Sequence, residues 1–144
     1  MQIRIVKIRD GAVIPKYATA HSAGCDLVAC IEENKVLAPQ EIAVIKTGIS
    51  IEIPNRFFGM VCSRSGLSVK HGVIVLNAPG VIDSDYRGEI GCIMMNQSTM
   101  PFTIEPGMRI AQLLIMPYQT ATFEEASTLN DTSRGNRGFG STGI

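Results

Sequence analysis

The sequence has little that would suit a nucleic-acid or membrane partner. Thirteen basic residues balance thirteen acidic ones, so no positive field is available to follow a nucleic-acid backbone. No apolar run approaches the ~20 residues that a membrane-spanning helix needs, and Met1–Lys7 lacks the apolar core of a secretory signal. We therefore expect a cytoplasmic protein with neither a nucleic-acid nor a membrane partner.

Cysteine and histidine are also too few and too scattered to indicate a metal site built by the protein alone. The four cysteines form no Cys-x-x-Cys pair, and the two histidines have no metal-ligand spacing. Tryptophan is absent, yet 45% of the 144 residues are hydrophobic, which is enough for one domain with a real core. We expect a single globular domain with four reduced thiols.

Short strand patterns dominate the chain. Ile49, Ile51 and Ile53 alternate with polar residues, which is the period of a strand with one buried face. The only helix prediction is Ser65–His71, and Glu105–Met108 has the Pro and Gly of a type II turn. Because turn residues separate many short strands, the sequence predicts an all-β barrel or sandwich. The other predicted strands are Gln2–Ile8, Arg56–Cys62, Val73–Leu76, Glu89–Met95, Ile110–Met116 and Thr120–Glu125.

The C-terminal segment differs in composition from the rest. Glycine recurs at four positions between Ser127 and Ile144, where only three large apolar residues occur. Because such a segment buries little apolar surface, we expect residues 127–144 to form a flexible Gly-rich arm and residues 1–126 to form the β domain. The arm is either a frayed terminus or a lid, since Arg134 and Phe139 suit the phosphate and the base of a nucleotide.

The polar stretch Gly80–Glu89 lies between two apolar runs. We predict a short hairpin whose tip presents carboxylates, an aromatic ring and a guanidinium to a ligand. The alternative, with equal weight, is a charged surface turn in which Asp85 and Arg87 neutralise each other. The segment by itself does not decide between these interpretations.

Two segments have the composition of phosphate sites. Ser65 and Gly66 begin the predicted helix, whose first N–H groups suit an anion, and Arg64 adds a forked donor. The alternative is a serine N-cap beside a surface arginine. Arg134–Gly143 contains four glycines that free its amides to bind an anion, but it lacks the Gly-Lys-Ser/Thr ending of a P-loop.

Two polar residues stand in apolar surroundings. Asp26 is either a turn aspartate or a residue that contacts a metal or its water. Gln112 lies within an apolar strand, so a buried amide there needs hydrogen-bond partners. It either satisfies backbone groups or binds a ligand.

Together and in this order, these segments resemble the five motifs of the trimeric deoxyuridine triphosphatase (dUTPase) family. The resemblance extends over nearly the whole chain, and its third and fifth motifs are long and specific. The matching segments are Ala23–Ala29, Arg64–Ser68, Gly80–Glu89, Arg109–Leu113 and Arg134–Gly143.

The resemblance implies a distorted, jelly-roll-like β-barrel with one short helix, assembled as a homotrimer. Each active site lies between subunits, and the exchanged C-terminal arm of one subunit closes over a site formed by the other two. The implied reaction splits dUTP into dUMP and pyrophosphate by attack of water on the α-phosphorus, with Mg²⁺ bound to the triphosphate. It limits uracil in DNA and supplies dUMP for thymidylate synthesis.

The same resemblance implies roles for individual residues. Asp83 would orient and activate the attacking water, and Tyr86 would pack under the deoxyribose and exclude a 2′-hydroxyl. Asp26 would hold Mg²⁺ through water, and Phe139 would stack on the uracil. The uracil edge would be read by Asn77 and by backbone groups of Val81, Ile82 and Gly91. The phosphates would be bound by Arg64, Ser65, Gly66, Gln112, Arg134, Gly140, Ser141 and Thr142.

Two other functions stay open. A dCTP deaminase, or a bifunctional deaminase–dUTPase, shares the fold and a phosphate-binding Arg-Ser segment. The Asp-Ser-Asp-Tyr-Arg-Gly run and the Gly-Phe-Gly-Ser-Thr-Gly arm favour the monofunctional enzyme. The non-enzymatic alternative is a trimer that senses dUTP and switches a partner, and the intact Asp83 argues against a role in binding alone.

Overall fold

The computed structural model describes residues 1–138, which form eleven short strands and one helix. The predicted site residues Phe139, Gly140, Ser141 and Thr142 lie outside the described residues. The strands are β1 (Arg4–Lys7), β2 (Cys25–Val28), β3 (Lys35–Leu37), β4 (Ile42–Lys46), β5 (Ile49–Glu52), β6 (Phe57–Ser63), β7 (Val73–Val75), β8 (Gly80–Ile82), β9 (Gly91–Asn96), β10 (Phe102–Ile104) and β11 (Arg109–Pro117), and the helix is α1 (Ser65–His71).

The strands form two sheets and two ribbons, and every pair is antiparallel. The larger sheet has the order β2-β11-β6-β8, and the second has the order β4-β9-β7. The ribbons are β1–β5 and β3–β10. This arrangement confirms, for the described residues, the predicted all-β class with one short helix.

One cluster of buried residues joins the two sheets. It contains Leu27 of β2 and Leu113 of β11 together with Ile45 of β4 and Met94 of β9. Because successive residues of a strand point to opposite faces, the neighbours of these residues lie on the outer faces. Full burial of one such side chain stabilises the fold by about 1.5–3 kcal/mol, so this cluster is what holds the sheets together.

The predicted helix is confirmed with its bounds at Ser65–His71. It ends at Gly72, whose φ of +65° closes the helix and whose N–H bonds to the carbonyl groups of Leu67 and Ser68. A side chain at position 72 would also lie 3.1 Å from the backbone N of Ser98. Within residues 1–138, no helix has the length and apolarity to cross a membrane.

The turn at Glu105–Met108 is also confirmed, and one strand prediction is wrong. Gly107 has φ +79°, and the N–H of Met108 donates to the carbonyl of Glu105 at 3.1 Å.

Thr120–Glu125 forms no strand, and Phe123 within it is 94% exposed. Its residues suit a strand, but a strand forms only where a partner accepts its hydrogen bonds. The strands β2, β3, β4 and β10 were not among the predicted strands.

All four cysteines are free thiols. Burial raises the pKa of the Cys92 thiol to about 12. Burial also raises the pKa of Cys25, whose thiol donates to the carbonyl of Leu113 at 3.3 Å. Both thiols therefore stay protonated at neutral pH and act as small core residues.

Asn96 is a fully buried amide at the end of β9, and each of its polar side-chain atoms is hydrogen-bonded. Its Nδ2 donates to the carbonyl groups of Leu37 (3.0 Å) and Met100 (2.7 Å), and its Oδ1 accepts from the N–H and the hydroxyl of Ser98 (2.9 and 2.7 Å).

Asn96→Leu is expected to lower the free energy of unfolding by about 3 kcal/mol, because it leaves buried groups without partners. Urea unfolding measures the loss. Gln97→Leu, at an exposed position, should stay within about 0.5 kcal/mol, and equal losses would contradict the prediction.

Candidate active site

Four of the five motif segments meet in or beside the larger sheet. Asp26 lies on β2, Gln112 on β11, Arg64 directly after β6, and Val81 on β8. The strand register sets Gln112 opposite Asp26 on one side and opposite Cys62 on the other. Residues directly opposite in antiparallel strands point to the same face, so these three side chains share the half-buried face of the sheet.

Asp26 is the centre of an ion-paired cluster. Its Oδ1 lies 3.0 Å from Nε of Arg64, and its Oδ2 lies 3.3 Å from Nη1 of Arg109. Nη1 of Arg64 also donates to the carbonyl of Arg109 at 3.1 Å. Because Asp26 lies in a strand and is paired, its interpretation as a turn aspartate is wrong. Two guanidinium groups and one carboxylate leave one positive charge, which favours an anionic ligand here.

Gln112 projects from the same half-buried face as Asp26. A side-chain carbon at Gly24 would lie 3.5 Å from Oε1 of Gln112, so glycine leaves space beside this amide. An amide at the edge of such a space has two donors and an acceptor to offer a ligand. Its binding role stays a prediction.

The start of α1 differs from the serine N-cap alternative, which is wrong. Arg64 occupies the N-cap position, and within the described part of the chain no side chain caps the helix there. Ser65 is the first helical residue, and both it and Gly66 are exposed. No atom of residues 1–138 lies within 4 Å of a side-chain carbon built at Gly66. The first turn of α1 therefore remains open to a phosphate beside the Arg64 guanidinium.

The predicted hairpin at Gly80–Glu89 is wrong. β8 pairs with β6, whereas β9 pairs with β4 and β7, so the segment between them crosses from one sheet to the other.

The predicted pairing of Asp85 with Arg87 is wrong as well. Nη1 of Arg87 donates instead to the carbonyl groups of Ser84 (2.7 Å) and Tyr86 (2.9 Å). The guanidinium satisfies carbonyl groups that a crossover leaves without strand partners.

The predicted nucleoside-binding residues lie around this crossover. Asp83 and Tyr86 are exposed within it. A side-chain carbon built at Gly80 would lie 3.2 Å from Nδ2 of Asn77, so the amide of Asn77 lies beside the start of β8. Gly91 begins β9, where a side-chain carbon would lie only 2.8 Å from a valine of β4. β8 supplies Val81 and Ile82.

The two groups of predicted site residues lie apart within one chain. Ile82, which precedes Asp83, is opposite Gly59 near the start of β6, whereas Arg64 follows the end of that strand. From Gly59 to Arg64 the distance is roughly 17 Å at ~3.4 Å per residue. The predicted water-activating carboxylate and the predicted phosphate cluster therefore lie beside different parts of β6 within one chain. Arg134 belongs to neither group and exchanges local hydrogen bonds of 3.0 Å with Arg137 in an exposed segment.

The sequence did not reveal the contacts of two arginines in this region. Arg109 belongs to the fourth motif, but only the strand register brings it to Asp26. Arg9 binds Glu89 across 80 positions of the chain, and no local pattern indicates this contact. For Arg109, its place in the same strand as Gln112 was a usable signal.

Comparisons with known proteins agree with this geometry. The family model described as dUTPase matches residues 10–143. The deoxyuridine 5'-triphosphate nucleotidohydrolase of Rickettsia akari (strain Hartford) is 49% identical over 144 residues, which cover 99% of this chain and 97% of the relative.

Solved dUTPase structures share the fold. A mutant dUTPase of Staphylococcus bacteriophage 80alpha with dUpNHpp has a TM-score of 0.91 and 29% identity, over 99% of both chains. A mutant dUTPase of phage phi11 of S. aureus, solved for the coordination of a structural Mg(II) ion, has a TM-score of 0.83 and 25% identity, over 91% of this chain and 100% of the other. These likenesses confirm the predicted jelly-roll-like β fold. Since the family model matches nearly the whole chain, this protein belongs to the dUTPase family.

Proposed function

We propose that this chain hydrolyses dUTP to dUMP and pyrophosphate. The observation that carries the proposal is the cluster of Asp26, Arg64 and Arg109 beside the open first turn of α1. A triphosphate is the kind of anion that guanidinium groups and helix amides bind together. The reaction limits uracil in DNA and supplies dUMP for thymidylate synthesis.

Arg64, Ser65 and Gly66 are the proposed ligands of the inner and middle phosphates, and Gln112 contacts the phosphate chain. The Arg64 guanidinium is already held by the carboxylate of Asp26 and by a backbone carbonyl before substrate arrives. A donor fixed in this way needs no reorganisation as negative charge develops on the leaving pyrophosphate. The cluster therefore serves both binding and catalysis.

Asp83 is the proposed general base. It orients a water molecule and takes its proton as the water oxygen attacks the α-phosphorus, and the bond to the bridging oxygen of pyrophosphate breaks. A base must lie about 2.6–3.2 Å from the group whose proton it takes. A hydrogen bond of 3.2 Å from the N–H of Tyr86 to the carbonyl of Asp83 closes the backbone turn that carries this carboxylate.

Backbone groups of Val81, Ile82 and Gly91, with the amide of Asn77, are proposed to read the uracil edge. Among the strands of residues 1–138, β8 is at the end of its sheet and pairs only with β6, which leaves its outer backbone groups for a base. Uracil and cytosine present opposite donor and acceptor patterns, and fixed partners reject cytosine because buried groups would stay unpaired. Tyr86 packs under the deoxyribose and excludes a 2′-hydroxyl.

Mg²⁺ is proposed to bind together with the triphosphate. Among residues 1–138, no three His, Cys, Asp or Glu side chains are grouped to hold a metal ion. Asp26 already meets two guanidinium groups, so it fits a water molecule on the metal better than the metal itself. Mg²⁺ commonly keeps several waters and binds substrate phosphates with one or two carboxylates. When bound, it neutralises phosphate charge and orients the phosphate chain.

We further propose a homotrimer whose active sites are shared between subunits. The separation of roughly 17 Å between Gly59 and Arg64 along β6 supports this, because groups acting on one α-phosphorus must lie within hydrogen-bond reach of the reacting atoms. A second subunit can bring its Asp83 to the Arg64 of the first. Three identical head-to-tail contacts then close a ring with three sites.

Residues 127–144 are the proposed arm that closes over a neighbouring site. In this proposal Arg134 binds the γ-phosphate and Phe139 stacks on the uracil. The exposure of Arg134 in the described chain is consistent with a ligand that comes from another subunit. The remaining phosphate contacts are assigned to Gly140, Ser141 and Thr142.

The activity is tested by incubating the protein with Mg²⁺ and dUTP, dCTP, dTTP or UTP in separate reactions. Pyrophosphate, free phosphate and ammonia are measured in each. We expect pyrophosphate from dUTP and no ammonia from dCTP. Ammonia from dCTP would identify a deaminase, and tight dUTP binding without turnover would identify a sensor, so either result would contradict the proposal.

A further inference from the structure

The crossover Asp83–Glu89 is held from outside by the N-terminal segment. Arg9, shortly after β1, binds the Glu89 carboxylate through two hydrogen bonds, Nε to Oε1 at 2.8 Å and Nη2 to Oε2 at 3.1 Å. The N–H of Gly48 also donates to Oε1 at 3.0 Å, and Nζ of Lys46 lies 3.6 Å from Oε2. The Glu89 side chain is only 10% exposed, so this carboxylate is anchored inside the fold.

Glu89 in turn holds the Tyr86 ring. The Tyr86 hydroxyl donates to the carbonyl of Glu89 at 3.1 Å. Gly88 lies between them, and a side-chain carbon there would clash with the Tyr86 hydroxyl oxygen, so the ring lies directly on the backbone. The position of the ring therefore depends on where the backbone at Gly88 and Glu89 is fixed.

The chain after Glu89 is fixed independently of Arg9. The N–H of Ile90 donates to the carbonyl of Ile49 at 2.9 Å, and the hydroxyl of Thr47 donates to the carbonyl of Ile90 at 2.6 Å. Removal of Arg9 thus leaves the start of β9 in place, together with the Glu89 carbonyl that shares a peptide group with the Ile90 N–H, and acts on the backbone at Gly88 before it. The Arg9 guanidinium, followed by the Gly48 N–H, also holds the pKa of the Glu89 carboxyl below its ordinary value, which keeps the pair charged at neutral pH.

We propose that Arg9 is a positioning residue for Tyr86, acting through Glu89. The inference rests on the proposed function, in which the Tyr86 ring packs under the deoxyribose and excludes a 2′-hydroxyl. A bidentate guanidinium–carboxylate pair fixes orientation as well as distance, whereas the single ammonium of Lys46 at 3.6 Å does not. Arg9 belongs to none of the five motifs, so this role extends the specificity machinery beyond them.

Arg9→Ala is expected to lower kcat/KM for dUTP about tenfold, less than the ~100-fold that a 1 Å misplacement can cost. It is also expected to lower the ratio of kcat/KM for dUTP to kcat/KM for UTP, because a displaced ring admits the 2′-hydroxyl. Arg9→Lys keeps the charge without the bidentate geometry and should restore only part of that ratio.

Lys35→Ala is the matched control. Lys35 pairs with Glu41 at 2.6 Å, and Glu41, like Glu89, also accepts a backbone N–H, from Ala38 at 2.8 Å. It should leave the ratio unchanged.

Tyrosine fluorescence tests the position of the ring without activity. The chain has no tryptophan and three tyrosines, so in a Tyr17→Phe, Tyr118→Phe background the emission comes from Tyr86 alone. Arg9→Ala in this background is expected to increase quenching of that emission by acrylamide. Unchanged quenching, or an unchanged dUTP/UTP ratio in an active enzyme, would overturn the positioning role. A wild-type protein that does not hydrolyse dUTP would overturn the proposed function instead, and the quenching result would still decide where the ring lies.

Discussion

Asp83→Asn is expected to lower kcat for dUTP by about 10²–10⁴-fold, which is the contribution of a general base. Asparagine has nearly the size of aspartate, but its amide cannot take the proton of the attacking water. KM should change little, because the proposed ligands of the phosphates belong to the separate cluster around Arg64. Steady-state kinetics with Mg²⁺ measure both constants.

Asp85→Asn is the matched control for this prediction. Asp85 lies in the same crossover, two positions from Asp83, and both residues are exposed. We expect its kcat to stay within about twofold of the wild-type value, since surface substitutions of this kind have small effects. An unchanged kcat for Asp83→Asn would remove Asp83 from the mechanism. Equal losses for both variants would mean that the crossover needs its charge rather than one specific base.

Mixing Asp83→Asn subunits with Arg64→Gln subunits is expected to restore activity that neither variant has alone. In the proposed mechanism, loss of Asp83 removes the base, and loss of Arg64 removes a fixed donor that is worth about 10²–10³-fold in kcat. If each site takes Asp83 from one subunit and Arg64 from the next, a mixed trimer contains sites in which both residues are intact. At equal random mixing this holds for about a quarter of the sites, because each of the two positions is intact with a probability of one half.

The mixing experiment requires subunit exchange. The two variants are unfolded together in urea and refolded, and light scattering checks that the product contains three subunits. The control is a mixture of Asp83→Asn with Asp83→Ala, which has no intact base and should stay inactive. A refolded mixture as inactive as its components would mean that Asp83 and Arg64 act within one subunit, against the shared-site proposal.

Local signals explain which elements could be predicted from the sequence. Ser65–His71 was found with its correct bounds because Gly72 ends the helix through a conformation that glycine adopts readily. Glu105–Met108 was found because Pro106 and Gly107 match the dihedral angles of one turn type. The hairpin at Gly80–Glu89 was wrong because the partners of β8 and β9 come from distant strands, and no residue within the segment encodes them.

The candidate site could likewise be predicted only in part from the sequence. The motifs identified Asp26, Arg64 and Gln112 by residue type and order, but they contained nothing about how these residues meet. Asp26 and Arg64 come within 3.0 Å because β11 aligns β2 and β6 on its two sides. The contact of Arg9 with Glu89 arises in the same manner, from the ribbon and the crossover being packed side by side.

The sequence by itself determined the all-β class, the one helix and the ordered set of motifs that identifies the dUTPase family. Only the tertiary structure decided that Asp26 joins two arginines, that Arg9 binds Glu89, and that Ile82 and Arg64 lie towards opposite ends of β6. The physical reason is the separation along the sequence over which each kind of interaction acts. Turn chemistry, glycine and apolar periodicity act between neighbours in the sequence, whereas the register of antiparallel strands sets contacts between residues tens of positions apart.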